Sequence, residues 1–290
     1  MGREAFLAEV RRTLPGTLEE DGSTALLLPR SAHEVAVAMQ LARRLDGPVI
    51  VPGGEAQEGA VHLDLRRLGE VIAFDDASRL VHVQGGMEVS ALEDALRARG
   101  LTLGMTEAAP DVALCEWLAV GAPGSRDHAD DPVDQLVAGL EVVLPDGRPL
   151  AIRPAPRRAV GPDLTSAQVG ARGALGVIIG AHLVVRARRA AQEVAHVFPT
   201  REAAESARAW IRGRGVRPAH TRVVDVAEGS VLHVRLEAEG ALARASLAVV
   251  AKTARERNGV PYPADEVPQP RAADAPPAAP IVHLLGDALR

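Results

Sequence analysis

Apolar and polar positions change period repeatedly along the chain, and each change marks an element. Residues 3–13 carry apolar side chains at helical spacing and predict a short amphipathic helix. Ala25, Leu26, Leu27 and Leu28 form an unbroken apolar run closed by Pro29, the pattern of a buried strand. Ser31, with Glu34 three positions on, reads as a capping box ahead of the helical run AVAMQLARRL. Val49, Ile50 and Val51 predict the next strand, ended by Pro52-Gly53-Gly54. Three further strands are expected over residues 61–65, 71–75 and 79–84, where apolar and polar positions alternate. Gly85-Gly86 breaks the last of these. A helix over 88–99 follows, with Val89, Leu92 and Leu96 on one face.

Residues 134–188 carry the densest pattern. Pro145-Asp146-Gly147 lies between two apolar runs and predicts a hairpin, because Asp and Gly tolerate the positive φ of tight turns. A loop with a short helical turn follows, then Gly170, Gly173 and Gly176, then a long strand opened by Val177, Ile178 and Ile179. A nicotinamide fingerprint is spaced G-x-G-x-x-G and leads into a helix. Here the spacing is G-x-x-G-x-x-G and a strand comes next, so that reading fails its own structural test.

After residue 189 the pattern starts again. A strand over 194–198, a Thr200-capped helix over 201–212, strands over 221–225 and 231–236 and a helix over 242–257 form an open-faced α/β sandwich, with Asn258-Gly259 as the last C-cap. Residues 261–280 hold seven of the 21 prolines and no apolar cluster, which predicts an extended or disordered linker. The expected division is therefore 1–189, 190–260 and a tail over 261–290.

Composition removes several function classes. A net charge of −5 argues against a nucleic-acid partner, which needs a concentrated basic face. The patches Arg186-Arg188-Arg189 and Arg153-Arg157-Arg158 read as solvated rims, the second also able to meet an anionic group. No apolar run reaches the ~20 residues of a membrane span. The first residues lack the apolar core of a secretory signal, and Cys115 is the single cysteine, so a cytoplasmic protein is expected. The loop Asp127-His128-Ala129-Asp130-Asp131 lacks the donor spacing of a calcium loop, so no metal site is expected there. No residue stands out as a catalytic acid, base or nucleophile.

The motifs resemble one family. Gly161-Pro162-Asp163-Leu164 followed by Gly170-Ala171-Arg172-Gly173-Ala174-Leu175-Gly176-Val177-Ile178-Ile179 is similar to the signature of FAD-linked oxidases of the vanillyl-alcohol oxidase and p-cresol methylhydroxylase (PCMH) superfamily. The nearest branch is that of glycolate oxidase subunits and alkyldihydroxyacetonephosphate synthase. Pro52-Gly53-Gly54 resembles the family's first flavin loop, and Pro110-Asp111, Trp117 and Asp134 to Gly139 resemble its second half-site. The resemblance implies an α+β fold: a PCMH-type FAD-binding domain of two α/β subdomains, then a truncated α/β cap. It implies non-covalent FAD held by Pro52, Gly53, Gly54, Pro110, Asp134, Gly161, Asp163, Gly170, Gly173, Leu175, Gly176, Val177 and Ile178. It also implies a 2-hydroxy-acid oxidase or dehydrogenase subunit, with a protein partner supplying the rest of the cap or the electron acceptor.

Seven positions depart from the family pattern. Ala171 and Arg172 replace Ser and Glu, Glu55 follows a loop one glycine short, Cys115-Glu116 replaces Gly-Gly, and Asp130-Asp131 replaces Tyr-Gly. A carboxylate facing a pyrophosphate charge at ~4 Å costs about 4 kcal/mol at an effective dielectric near 20. These departures keep a second reading open, that of a degenerate homologue without FAD acting as a structural or regulatory subunit.

Overall fold

A computed structural model of the protein describes residues 2–21, 24–55, 57–105, 109–125, 136–155, 162–238 and 240–268. These fall into two compact units, the second beginning at Ala187.

The first unit opens with α1 (Gly2–Thr13), whose Phe6, Leu7 and Val10 are buried. Strands β1 (Leu18–Asp21), β2 (Thr24–Leu27), β3 (Val49–Ile50) and β4 (Val61–Leu63) form a sheet in the order β1-β2-β4-β3. β2 and β3 both run parallel to β4, so the connection from β2 to β3 must cross over, and α2 (Ala32–Leu45) makes it. Ser31 caps α2 as its side chain accepts the Glu34 N–H at 3.2 Å. The reciprocal bond differs from the expected box: Glu34 accepts from the N–H of Arg30, one residue before the cap, at 2.6 Å.

The second layer of this unit is an antiparallel sheet of β5 (Val71–Asp75), β6 (Leu80–Gln84), β8 (Val137–Val143), β9 (Pro149–Ile152) and β10 (Val177–Val184), in the order β5-β6-β10-β8-β9. Its β8–β9 turn is the expected hairpin, with Gly147 at φ +81 and the Leu144 N–H donating to the Arg148 carbonyl. Between β6 and β8 lie α3 (Val89–Arg97), the two-residue strand β7 (Leu101–Thr102) and α4 (Leu114–Ala119). Val89, Leu92 and Leu96 are fully buried on α3, as their spacing requires, and each such leucine contributes roughly 2–3 kcal/mol of burial. One continuous core joins both sheets and these helices. A short helix, α5 (Leu164–Gln168), precedes the glycine-spaced turn.

After the two-residue β11 (Arg186–Ala187), the second unit is a sheet of β12 (Gln192–Phe198), β13 (His220–Val226), β14 (Gly229–Leu236) and β15 (Val260–Tyr262), ordered β13-β14-β12-β15. Helices α6 (Arg201–Gly213) and α7 (Gly240–Arg255) cover it around Phe198, Ala204, Ala207, Ile211, Leu232, Val234 and Val250. Thr200 caps α6, and Asn258 ends the turn after α7 at φ +60. Residues 260–268 depart from the linker expected from 261 onward. Val260–Tyr262 pairs with β12 as an edge strand, and Val267 is 3% exposed. The proline at 261 is tolerated because an edge strand leaves one side of its backbone unpaired. No helix among the described residues is long and apolar enough to cross a membrane.

Candidate functional site

The glycine-bearing loops meet at the C-terminal end of α4. A helix end leaves its last carbonyls without intrahelical partners. Here the Leu118 carbonyl accepts the Gly170 N–H and the Ala119 carbonyl accepts the Arg172 N–H, both at 2.9 Å. The turn after α5 is thereby fastened to α4, and Arg172 holds the left-handed conformation this needs, at φ +49. Gln168 braces the turn from beneath, donating its side-chain N–H to the Leu175 carbonyl at 3.2 Å.

The loop after β3 closes on the same place. Gly53 lies at φ +79, and a Cβ there would stand 2.5 Å from the Ala119 side chain. A Cβ on Gly173 would stand 2.1 Å from Val51 Cγ2, and one on Gly176 would stand 2.4 Å from the Val143 carbonyl. All three glycines are therefore demanded by contacts within the protein, which bring segments 51–54, 118–121 and 170–176 into one cluster. Among the described residues, the backbone N–H groups of Gly53, Gly173 and Leu175 have no protein acceptor. Such orphan donors on a glycine-rich loop cluster suit anionic oxygens such as those of a pyrophosphate.

The remaining expected residues divide. Pro52 is buried beneath its loop, and the Gly54 N–H is spent on the Val51 carbonyl at 2.9 Å. Val177 and Ile178 are ladder residues of β10 with buried side chains. Asp163 acts as the cap of α5, accepting the Thr165 and Ser166 N–H groups. Pro110 sits at the other end of α4, where its carbonyl accepts the Ser90 N–H, and does not join the glycine cluster. Asp134 and Gly161 lie outside the described residues, as does the loop 127–131.

The departures on α4 resolve differently from one another. Cys115 is 1% exposed and turns into the core, and its Cβ is 3.3 Å from the position a Cβ on Gly85 would take. Burial pushes its thiol well above the ordinary range, with the Glu116 carboxylate adding to the effect, so it is an inert packing residue. Glu116 is exposed, yet partial desolvation and the neighbouring Asp64 carboxylate raise its pKa. Glu55 is exposed at the end of its loop. Sequence reading missed α4 itself, and with it the part played by Val51 and Ala119 in the cluster.

Residues 23–153 match the model of a family described as FAD binding domain. Alkyldihydroxyacetonephosphate synthase of Dictyostelium discoideum is 27% identical over 240 residues, covering 78% of this chain and 39% of that protein. D-2-hydroxyglutarate dehydrogenase of Xanthomonas citri pv. viticola is 30% identical over 169 residues, 55% of this chain and 36% of that protein. The chain thus spans well under half the length of these relatives. Among solved structures, p-cresol methylhydroxylase with substrate bound shares the fold at a TM-score of 0.65, with 13% identity, over 85% of this chain and 59% of that one.

Proposed function

The chain belongs to the PCMH-type superfamily of FAD-binding oxidoreductases, and from that premise we propose that it is the flavin-holding part of a dehydrogenase or oxidase for 2-hydroxy acids of the glycolate type. FAD is the cofactor of this family, and the residues present fit it. The observation that carries the reading is the loop cluster at the end of α4, where the N–H groups of Gly53, Gly173 and Leu175 are left without a protein acceptor.

In this reading those three donors hold the anionic oxygens of the cofactor. Gly53 and Gly173 hold positive φ and bear no Cβ, which lets their loops pack against Ala119 and Val51 and fixes both N–H groups in place. The Gly170 and Arg172 bonds to α4 fix the turn in advance, so little ordering is left to be done on binding. The flavin, when bound, supplies the chemistry of accepting a hydride equivalent from a substrate carbon. The hydroxy-acid assignment rests on the likeness to D-2-hydroxyglutarate dehydrogenase. A protein partner that receives the electrons, and a cytoplasmic setting supported by the single buried Cys115, complete the proposal.

The exposed Glu116 carboxylate on α4, at a position where the family pattern has glycine, favours one second reading: a homologue that keeps the fold and serves as a structural or regulatory subunit without flavin. One experiment separates the two. FAD-reconstituted protein is mixed anaerobically with glycolate, D-lactate and D-2-hydroxyglutarate while visible flavin absorption is followed. Bleaching by one of these acids supports the first reading. Retained FAD with no bleaching by any of them rejects the hydroxy-acid assignment, and failure to retain FAD favours the second reading.

A further inference from the structure

The two-period of antiparallel strands puts every second residue on one face, and the five-stranded sheet uses this to gather three donors. On its central strand β10, Ala181 and Leu183 are buried opposite Val83 and Val81 of β6. The other face carries His182, paired directly with His82 of β6, and Gly180, paired with Glu141 of β8. The two imidazole rings stack with centroids 4.1 Å apart and planes 21° from parallel. His82 Nε2 lies 3.3 Å from Glu141 Oε1. Gly180 makes this possible, since a Cβ there would stand 2.8 Å from Glu141 Oε2, and its absence lets the carboxylate lie across the strand towards the histidines.

We propose that His82, His182 and Glu141 form a binding site for a divalent ion of the zinc class. One ligand atom from each of the three lies within 4.8 Å of the others, and all three side chains are partly buried. Donors around a tetrahedral zinc ion sit about 3.4 Å apart, given metal–ligand bonds of about 2.0–2.2 Å. The His82–Glu141 pair already has that spacing, and the His182 ring, stacked on that of His82, turns out of the stack to bring its nitrogen to the same ion. Two imidazoles and one carboxylate are the ligand set of zinc sites that keep a fourth position open.

The surroundings supply that open position. A cavity of about 160 Å³ adjoins the cluster, lined by Ala32, Leu68, Ile72 and Ile179 besides His82, Gln84 and Glu141. Its walls bring no further carboxylate or cation, so the ion would carry water or a small anion in its fourth position. None of its three ligands belongs to the glycine-loop cluster.

The test uses the full chain stripped with a chelator and titrated calorimetrically with Zn²⁺ alone at neutral pH. The expected result is one saturable equivalent, with affinity falling about tenfold or more in each of His182→Ala and Glu141→Gln. All three side chains lie outside the core, so the metal-free variants should melt close to the parent; His182→Gln replaces His182→Ala if that variant does not. As a second reading, Co²⁺ should give visible absorption bands that shift or vanish in Glu141→Gln. No saturable uptake, or variants that bind as tightly as the parent, would overturn the site and leave an ordinary His82–Glu141 ion pair.

Discussion

Glu116 is the residue on which cofactor affinity should turn. It sits on α4, where partial desolvation and the Asp64 carboxylate that follows β4 raise its pKa, so ionisation there is unfavourable. Glu116→Gln removes one negative charge while keeping the shape, and FAD should bind about fivefold tighter, equivalent to ~1 kcal/mol. The sign with pH follows. Lowering pH through the raised pKa of Glu116 neutralises it, so affinity for the anionic cofactor should rise as pH falls towards that value. The rise should be absent in Glu116→Gln; both are checked by FAD titration across a pH series. Cys115→Gly should instead lower stability, because its side chain fills core beside Gly85. At this scale the glycines were legible in sequence but their reasons were not. Gly53, Gly173 and Gly176 read as ligand-facing, whereas Ala119, Val51 and Val143 occupy the space each Cβ would need. Gly173→Ala combines that clash with a φ of +76, and urea unfolding should show a loss of about 2 kcal/mol or more.

Among the elements, those with a periodic face were readable and those buried on every side were not. The Ser31 and Thr200 caps, the α3 stripe and the Asp-Gly hairpin all appear where local chemistry placed them. Ser31→Ala removes an acceptor from the first turn of α2 and should cost about 1 kcal/mol, read as a lowered denaturant midpoint. By contrast α4 shows no helical stripe, since five of its six residues are buried, and a helix without a polar face gives no period. Its sequence therefore predicted no element, although its last two carbonyls organise the whole glycine cluster. Strand β15 was hidden for a different reason, its proline reading as linker when an edge position accommodates it. The His82–Glu141–His182 group was equally invisible: each residue is a lone polar position in its own strand, and only the pairing of three strands joins them.

Over the whole molecule, the described residues form two units with separate cores, and the strand–helix pattern of the sequence restarts near residue 190. The resemblance to FAD-linked oxidases followed from motif order, and residues 23–153 match the model of an FAD binding domain. What sequence left open was whether the altered loops could still accept the cofactor. The fold answers part of that: Cys115 withdraws into the core, Glu55 and Glu116 lie at the surface, and the loop N–H groups stay unspent. Direct titration of the purified, flavin-free chain with FAD, followed by quenching of flavin fluorescence and by the melting temperature, tests this most directly. Saturable binding of one FAD per chain with a higher melting temperature is the expected result. Unquenched fluorescence and an unmoved melting temperature, for the parent and Glu116→Gln alike, would contradict it.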